Sequence, residues 1–109
     1  ELSWVAPDPV FTKGMPERIS FLDEPYWPLI GDPGGVRVLA VAEVDGQARP
    51  MAWTFERGRG RVFASVPGHY FWTLDDPLWR LLCLRGMAWA GRRDPSLLND
   101  AVMRGALVR

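Results

Sequence analysis

"VRVLAVAEVDGQARPMAWTFERGRGRVFASV", residues 36–66, decides the fold. Its first nine residues, Val36 to Val44, are apolar at every position except Arg37 and Glu43. A β-branched run this apolar suits a strand covered on both faces. Asp45-Gly46 is a hairpin turn signal, so Arg49 to Glu56 is predicted to be the next strand. Arg57-Gly58-Arg59-Gly60 makes a second tight turn, and Arg61 to Val66 follows as a third strand. Connections this short join antiparallel neighbours, so at least part of the sheet is antiparallel.

Working outward, residues 1–18 read as irregular, because Pro7, Pro9, Gly14 and Pro16 forbid a continuous helix. Ile19 to Leu22 is a short strand candidate that ends at Asp23 and Glu24, and Pro25 to Gly35 is a loop by its Pro and Gly content. Downstream, Asp75, Asp76 and Pro77 start a helix, since Asp accepts bonds from free helical N–H groups and Pro suits the first position. That helix is predicted to reach about Ala90 and stop at Gly91, with Leu78, Leu81, Leu82, Ala88 and Trp89 on one face. Asp94-Pro95 opens a second helix near Ser96 to Arg104. Three or four strands followed by two helices is an α/β inventory. Two helices can hardly cover both faces of Val36–Val44. The expectation is a C-terminal portion of one larger α/β domain, or a chain that pairs with an N-terminal fragment of the same product or with another copy. Within it, residues 1–18 are a lead-in, 19–91 the core and 92–109 a C-terminal helix and tail.

Composition sets the function classes. The 109 residues carry 13 basic and 13 acidic side chains, a net charge of zero. That gives no general attraction to nucleic acid or to an anionic membrane. No apolar run is long enough to cross a bilayer. The single cysteine, Cys83, excludes an internal disulfide and reads as a small buried hydrophobe. No metal-ligand spacing such as CxxC or HExxH is present, so no cofactor is predicted, although His69 could serve a divalent metal. The chain starts "ELSWVAPDP", without Met and without a signal-peptide pattern, so it is expected to begin downstream of the gene's start; the cytoplasm is the expected compartment.

His69, the only histidine, follows Pro67-Gly68 where a strand ends and a helix is about to begin. Ligand sites of α/β sheets lie in the crevice beyond the carboxyl ends of strands. Gly68 allows close backbone approach, and histidine exchanges protons near neutral pH. Asp23 and Glu24, read as neighbours at a strand end, point to opposite faces, so at most one faces the crevice. Nucleophiles are poor: Cys83 lies mid-helix, and Ser65 lies in a strand without a GxSxG elbow.

Several ordered blocks now resemble the ThuA-like family, named for trehalose utilisation. They are Asp23-Glu24-x-Tyr26; Pro50-x-x-Trp53; Gly58 to Phe63; Gly68-His69; and Gly86-x-x-Trp89-Ala90. "DPVFTKGMP" (8–16) resembles a further family segment, with Asp8 where His is common. The resemblance implies a class I glutamine amidotransferase-like, flavodoxin-like three-layer α/β/α sandwich, of which this chain would be the C-terminal part with mixed strands. In true amidotransferases the acid follows His as His-Pro-Glu; here Tyr70 follows, which argues against glutaminase chemistry. The resemblance implies a small carbohydrate as ligand. As a sugar-modifying enzyme or hydrolase, the protein would use His69, Asp23 or Glu24 as polar catalytic groups. Tyr26, Trp53 and Trp72 would wall the sugar, with Gly68 and Thr73 beside them. The other reading is a non-catalytic sugar-binding or assembly module that kept the fold and lost the triad.

Overall fold

The computed structural model of the protein describes residues 1–102. Five strands, β1 (Leu2–Trp4), β2 (Arg18–Ile19), β3 (Val36–Val44), β4 (Gln47–Arg57) and β5 (Gly60–Ser65), form one sheet in the order β2-β1-β3-β4-β5. Every pairing is antiparallel. The helices are α1 (Pro9–Thr12), α2 (Phe71–Asp75) and α3 (Pro77–Ala90), followed by a 3-10 helix over Pro95–Ala101. This is an α/β fold. The β3–β4–β5 meander matches the sequence reading, with β4 two residues longer at its start and one at its end.

Other elements differ from expectation. The lead-in carries β1 and α1, because Asp8 caps a single helical turn by accepting from Val10 N–H at 3.0 Å, with Pro9 in the first position. Prolines at 7 and 9 exclude a long helix, not a short one. The strand expected at Ile19–Leu22 is only Arg18–Ile19, so Asp23 and Glu24 lie beyond it in irregular chain. The second helix is a 3-10 helix ending at Ala101, and the expected end at Arg104 lies outside the described residues.

α3 starts as read: Asp76 Oδ1 accepts from Leu78 and Trp79 N–H at 2.8 and 3.1 Å. It ends as read as well, at Ala90, with Gly91 as its cap. Gly91 has φ −80°, and Arg92, at φ +57°, takes the left-handed position, closed by Arg92 N–H to Trp89 O and Arg93 N–H to Ala88 O.

The core gathers Phe11, Leu39, Ala40, Ala52 and Leu82, with Trp4, Met15, Phe63 and Trp89 packed against it. α1 and α3 therefore cover one face of the sheet. A register irregularity around Ala40 lets the adjacent Leu39 and Ala40 both be buried. Arg85, on α3 and 7% exposed, donates to Phe11 O at 2.7 Å and so ties α3 to α1. On the other face the chain from Phe21 to Gly35 gives partial cover: Trp27 lies over the Arg49 guanidinium, and Gly35 approaches Phe55. Cover on both faces is thus incomplete along β3, where only Leu39 and Ala40 are fully buried.

Candidate functional site

The site is built where β5 ends. Past Ser65 the chain turns through Val66, Pro67 and Gly68 into α2 and α3. The Trp79 indole N–H and the Ser65 hydroxyl both donate to Pro67 O, each at 2.9 Å. Gly68 has φ +137°, and a Cβ there would stand 3.0 Å from Trp79 Cζ2. Only glycine suits this position, for backbone and for space. The loop is thereby pressed onto α3, with His69 at its outer end.

Asp23, far away in sequence, clamps the same loop. Its carboxylate accepts the backbone N–H of Gly68 at 3.1 Å and of His69 at 3.2 Å, as well as that of Glu24 at 2.7 Å. The buried Thr73 hydroxyl lies near this carboxylate but outside hydrogen-bond geometry. Partial burial pushes the Asp23 carboxyl up; the Thr73 hydroxyl dipole beside it and the bonds from the three amides together outweigh this and hold the carboxyl below its ordinary value.

Clamping the loop brings Glu24 against it. Tyr70 Oη donates to Glu24 Oε1 at 2.8 Å, and Tyr26 Oη donates to Glu24 Oε2. Tyr26 Oη also stands 3.1 Å from His69 Nδ1, while His69 Nε2 lies 3.9 Å from Glu24 Oε2. The bonds from Tyr26 and Tyr70 hold the Glu24 carboxyl below its usual range, with the nearby His69 contributing less. The same bonds hold both phenols neutral: Tyr26 is pushed up to about 12, chiefly by its bond to Glu24, and Tyr70 is pushed up for the same reason. Rings surround the imidazole. Tyr70 meets it edge-on at 4.8 Å and Tyr26 at 5.9 Å, and Trp72 stacks on Tyr70 at 4.5 Å. Trp72 is fixed by its indole N–H on Leu22 O.

The structure therefore brings together His69, Asp23, Glu24, Tyr26, Gly68, Trp72 and, from behind, Thr73. It does not bring in Trp53, which sits mid-β4 between Val38 and Ala64, with no hydrogen bond or ring contact to this cluster among the described residues. The expectation that Asp23 and Glu24 diverge on a strand is corrected. They lie in irregular chain, and both work on the 68–70 segment, one on its backbone and one on its side chains. Tyr70 was missed as a site residue, because its hydroxyl bonds Glu24 from 46 positions away, a pairing that no local pattern shows.

Two hollows flank the cluster. One, of about 90 Å³, is walled by Leu2, Phe21, Asp23, Glu24 and Met51 and stops short of His69. That is well below the roughly 300–1,000 Å³ of a drug-sized ligand pocket. The His69 side chain beyond it is half exposed. The other, of about 290 Å³, lies between β5 and α3 and holds Cys83, whose thiol burial pushes up to about 12. Cys83 is therefore no ready nucleophile. Among the described residues no three His, Cys, Asp or Glu side chains gather as a metal cage, and no helix is long and apolar enough to cross a membrane.

The fold and site together make this an α/β protein with a histidine loop at the end of an edge strand, held by Asp23 and Glu24. The sequence model of the ThuA family, described as trehalose utilisation, matches residues 1–90, and the chain belongs to that family. The five-stranded sheet with its helices is consistent with part of a ThuA domain, and the family with the amidotransferase-like superfamily. Searches of curated proteins and of solved structures each found no match.

Proposed function

We propose that the His69 cluster binds a carbohydrate of the trehalose class and acts on it by proton transfer, as a sugar-modifying enzyme of carbohydrate metabolism. One observation carries the reading: Glu24, Tyr26 and Tyr70 converge on a half-exposed imidazole whose backbone is independently clamped by Asp23. A scaffold histidine would be buried with both ring nitrogens bonded to backbone. Here the ring is open to solvent and one side is charged. His69 is the proton-handling group, Glu24 the charge that balances it, and Asp23 the group that positions the loop. The exposed rings of Tyr26, Trp72 and Phe71 offer apolar faces on which a sugar can stack.

A second reading, a sugar-binding module without turnover, draws support from the nucleophiles. Cys83 is held as a thiol, and the Ser65 hydroxyl is spent on Pro67 O. Trehalose, incubated with the protein and followed by calorimetric binding and product analysis, separates the two. In the enzyme reading, His69→Gln lowers turnover roughly 10²-fold, the usual scale for losing an acid/base group, with an unchanged melting temperature. Binding without turnover favours the module. A His69→Gln variant that melts earlier yet keeps its sugar affinity returns His69 to the scaffold.

A further inference from the structure

We propose that Tyr26 is a positioning residue that couples Glu24 to His69 and fixes the imidazole as its Nδ1–H tautomer, leaving Nε2 to accept a proton. The inference rests on the proton-transfer reading of this site and adds which nitrogen works and what sets it.

Proton counting carries it. An ionised carboxylate only accepts, and a phenol has one proton to donate. Both Glu24 oxygens receive phenol protons, Oε1 from Tyr70 and Oε2 from Tyr26. The single Tyr26 proton is thereby committed to Glu24, so toward His69 Nδ1, at 3.1 Å, the Tyr26 oxygen can only accept. Nδ1 must then carry the hydrogen. In the neutral ring that leaves the lone pair on Nε2, and no hydrogen bond occupies Nε2 among the described residues; its nearest acid oxygen, on Glu24, stands at 3.9 Å. The chain runs Nδ1–H to Tyr26 Oη–H to Glu24. Which ring nitrogen is free is decided by the bond the other makes.

This supplies what the position after His69 lacks. Tyr70 is no acid, yet the orienting carboxylate is present, delivered from Glu24 through a phenol. Nε2 then suits a hydroxyl, of water or of a sugar. The O–H bond breaks, its proton passes to Nε2 and its electron pair stays on the oxygen as the nucleophile; the ring becomes an imidazolium, and the Glu24 charge balances it across Tyr26. Both phenols being held neutral agrees with their role as donors.

The test reads the tautomer directly. His69 is the only histidine of the chain, so its ring nitrogens are the only imidazole signals in an ¹⁵N spectrum. At a pH where the ring is neutral, the wild-type chain should show Nδ1 protonated and Nε2 bare. Tyr26→Phe should move the hydrogen to Nε2 in all or most molecules. Tyr70→Phe, which touches only the far oxygen of Glu24, should leave it on Nδ1. A wild-type ring carrying Nε2–H, or a Tyr26→Phe ring still carrying Nδ1–H, overturns the proposal. Neither result depends on turnover. If His69→Gln proves harmless to sugar chemistry while the tautomer shifts as stated, the coupling stands and the functional reading fails; the opposite pair of results separates them the other way.

Discussion

Replacing Asp23 with alanine deletes the side chain that holds the backbone of the histidine loop at Gly68 and His69. Three backbone N–H groups lose their acceptor. That of Glu24 is adjacent and easily rehydrated, whereas those of Gly68 and His69, at 3.1 and 3.2 Å, join segments 45 and 46 positions apart. A hydrogen bond to a charged group contributes about 1.5–3 kcal/mol net. These two share one carboxylate, are long and face partly into water, so about 1 kcal/mol each is the better value, or about 2 kcal/mol in all. In a domain near this size, each 1 kcal/mol shifts the melting temperature by about 4–8 °C, so Asp23→Ala should melt roughly 8–16 °C below wild type. Asp23→Asn keeps a neutral acceptor and should lose about half as much. The effect has a pH signature. The Asp23 carboxyl is held below its ordinary value of 3.8 in the folded protein, so its stabilisation is complete above that value and fades as pH falls through the lower folded one. Melting curves of wild type and Asp23→Ala by circular dichroism should therefore be furthest apart at neutral pH and converge in acid. Equal melting temperatures at neutral pH, or a gap that persists unchanged into strong acid, would refute the clamp.

Two further outcomes follow from α3. A Cβ on Gly86 would stand 2.3 Å from Phe63 Cγ, so Gly86→Ala should force helix and strand apart and cost about 1–3 kcal/mol; chemical denaturation measures this, and a neutral substitution would mean the ring moves freely aside. Cys83, burial having pushed its thiol up to about 12, should react slowly with a thiol reagent in the folded state, and Cys83→Ala should cost about 1 kcal/mol. Fast labelling without unfolding would contradict that.

Much of the fold was legible because its signals are local. Asp45-Gly46 and the Arg57–Gly60 turn place β3, β4 and β5 in sequence, and Asp76-Pro77 starts α3 at the residue read. What local chemistry could not show is what depends on contact. β1 is three residues that become a strand by pairing on both sides, Ser3 and Trp4 with Val41 and Ala40, and Leu2 and Ser3 with Ile19 and Arg18. α3 ends at Ala90 with Gly91 as its cap, as read, but the left-handed residue that closes the end is Arg92, where the N–H groups of Arg92 and Arg93 bond the Trp89 and Ala88 carbonyls. The apolar run Val36–Val44 raised the expectation of two covering layers. The antiparallel register satisfies it partly, burying Leu39 and Ala40 fully and the flanking valines only in part.

The site divides along the same line. His69 was legible from its place after a strand and a glycine, Asp23 and Glu24 from their place at the end of a strand candidate, and Tyr26 from the block that resembles the family. Their relation was not, because it was inferred from the wrong local geometry. On a strand, Asp23 and Glu24 would diverge and one would be idle. In irregular chain the alternation rule does not apply, and the two carboxylates divide the labour. Asp23 faces the backbone of 68 and 69 and fixes where the imidazole stands. Glu24 faces Tyr26 and Tyr70 and, through the Tyr26 phenol, bears on which ring nitrogen is free. The same fact resolves the missing acid after His69. An orienting carboxylate need not be contiguous with its histidine, only connected to it by a donor with one proton to give. Tyr26, three positions beyond Asp23, is that donor. The sequence distance of 43 between Tyr26 and His69 is bridged by the Asp23 clamp together with the Tyr70–Glu24 and Trp72–Leu22 bonds, so the acid, the phenol and the imidazole become one unit through contacts that no window of sequence contains.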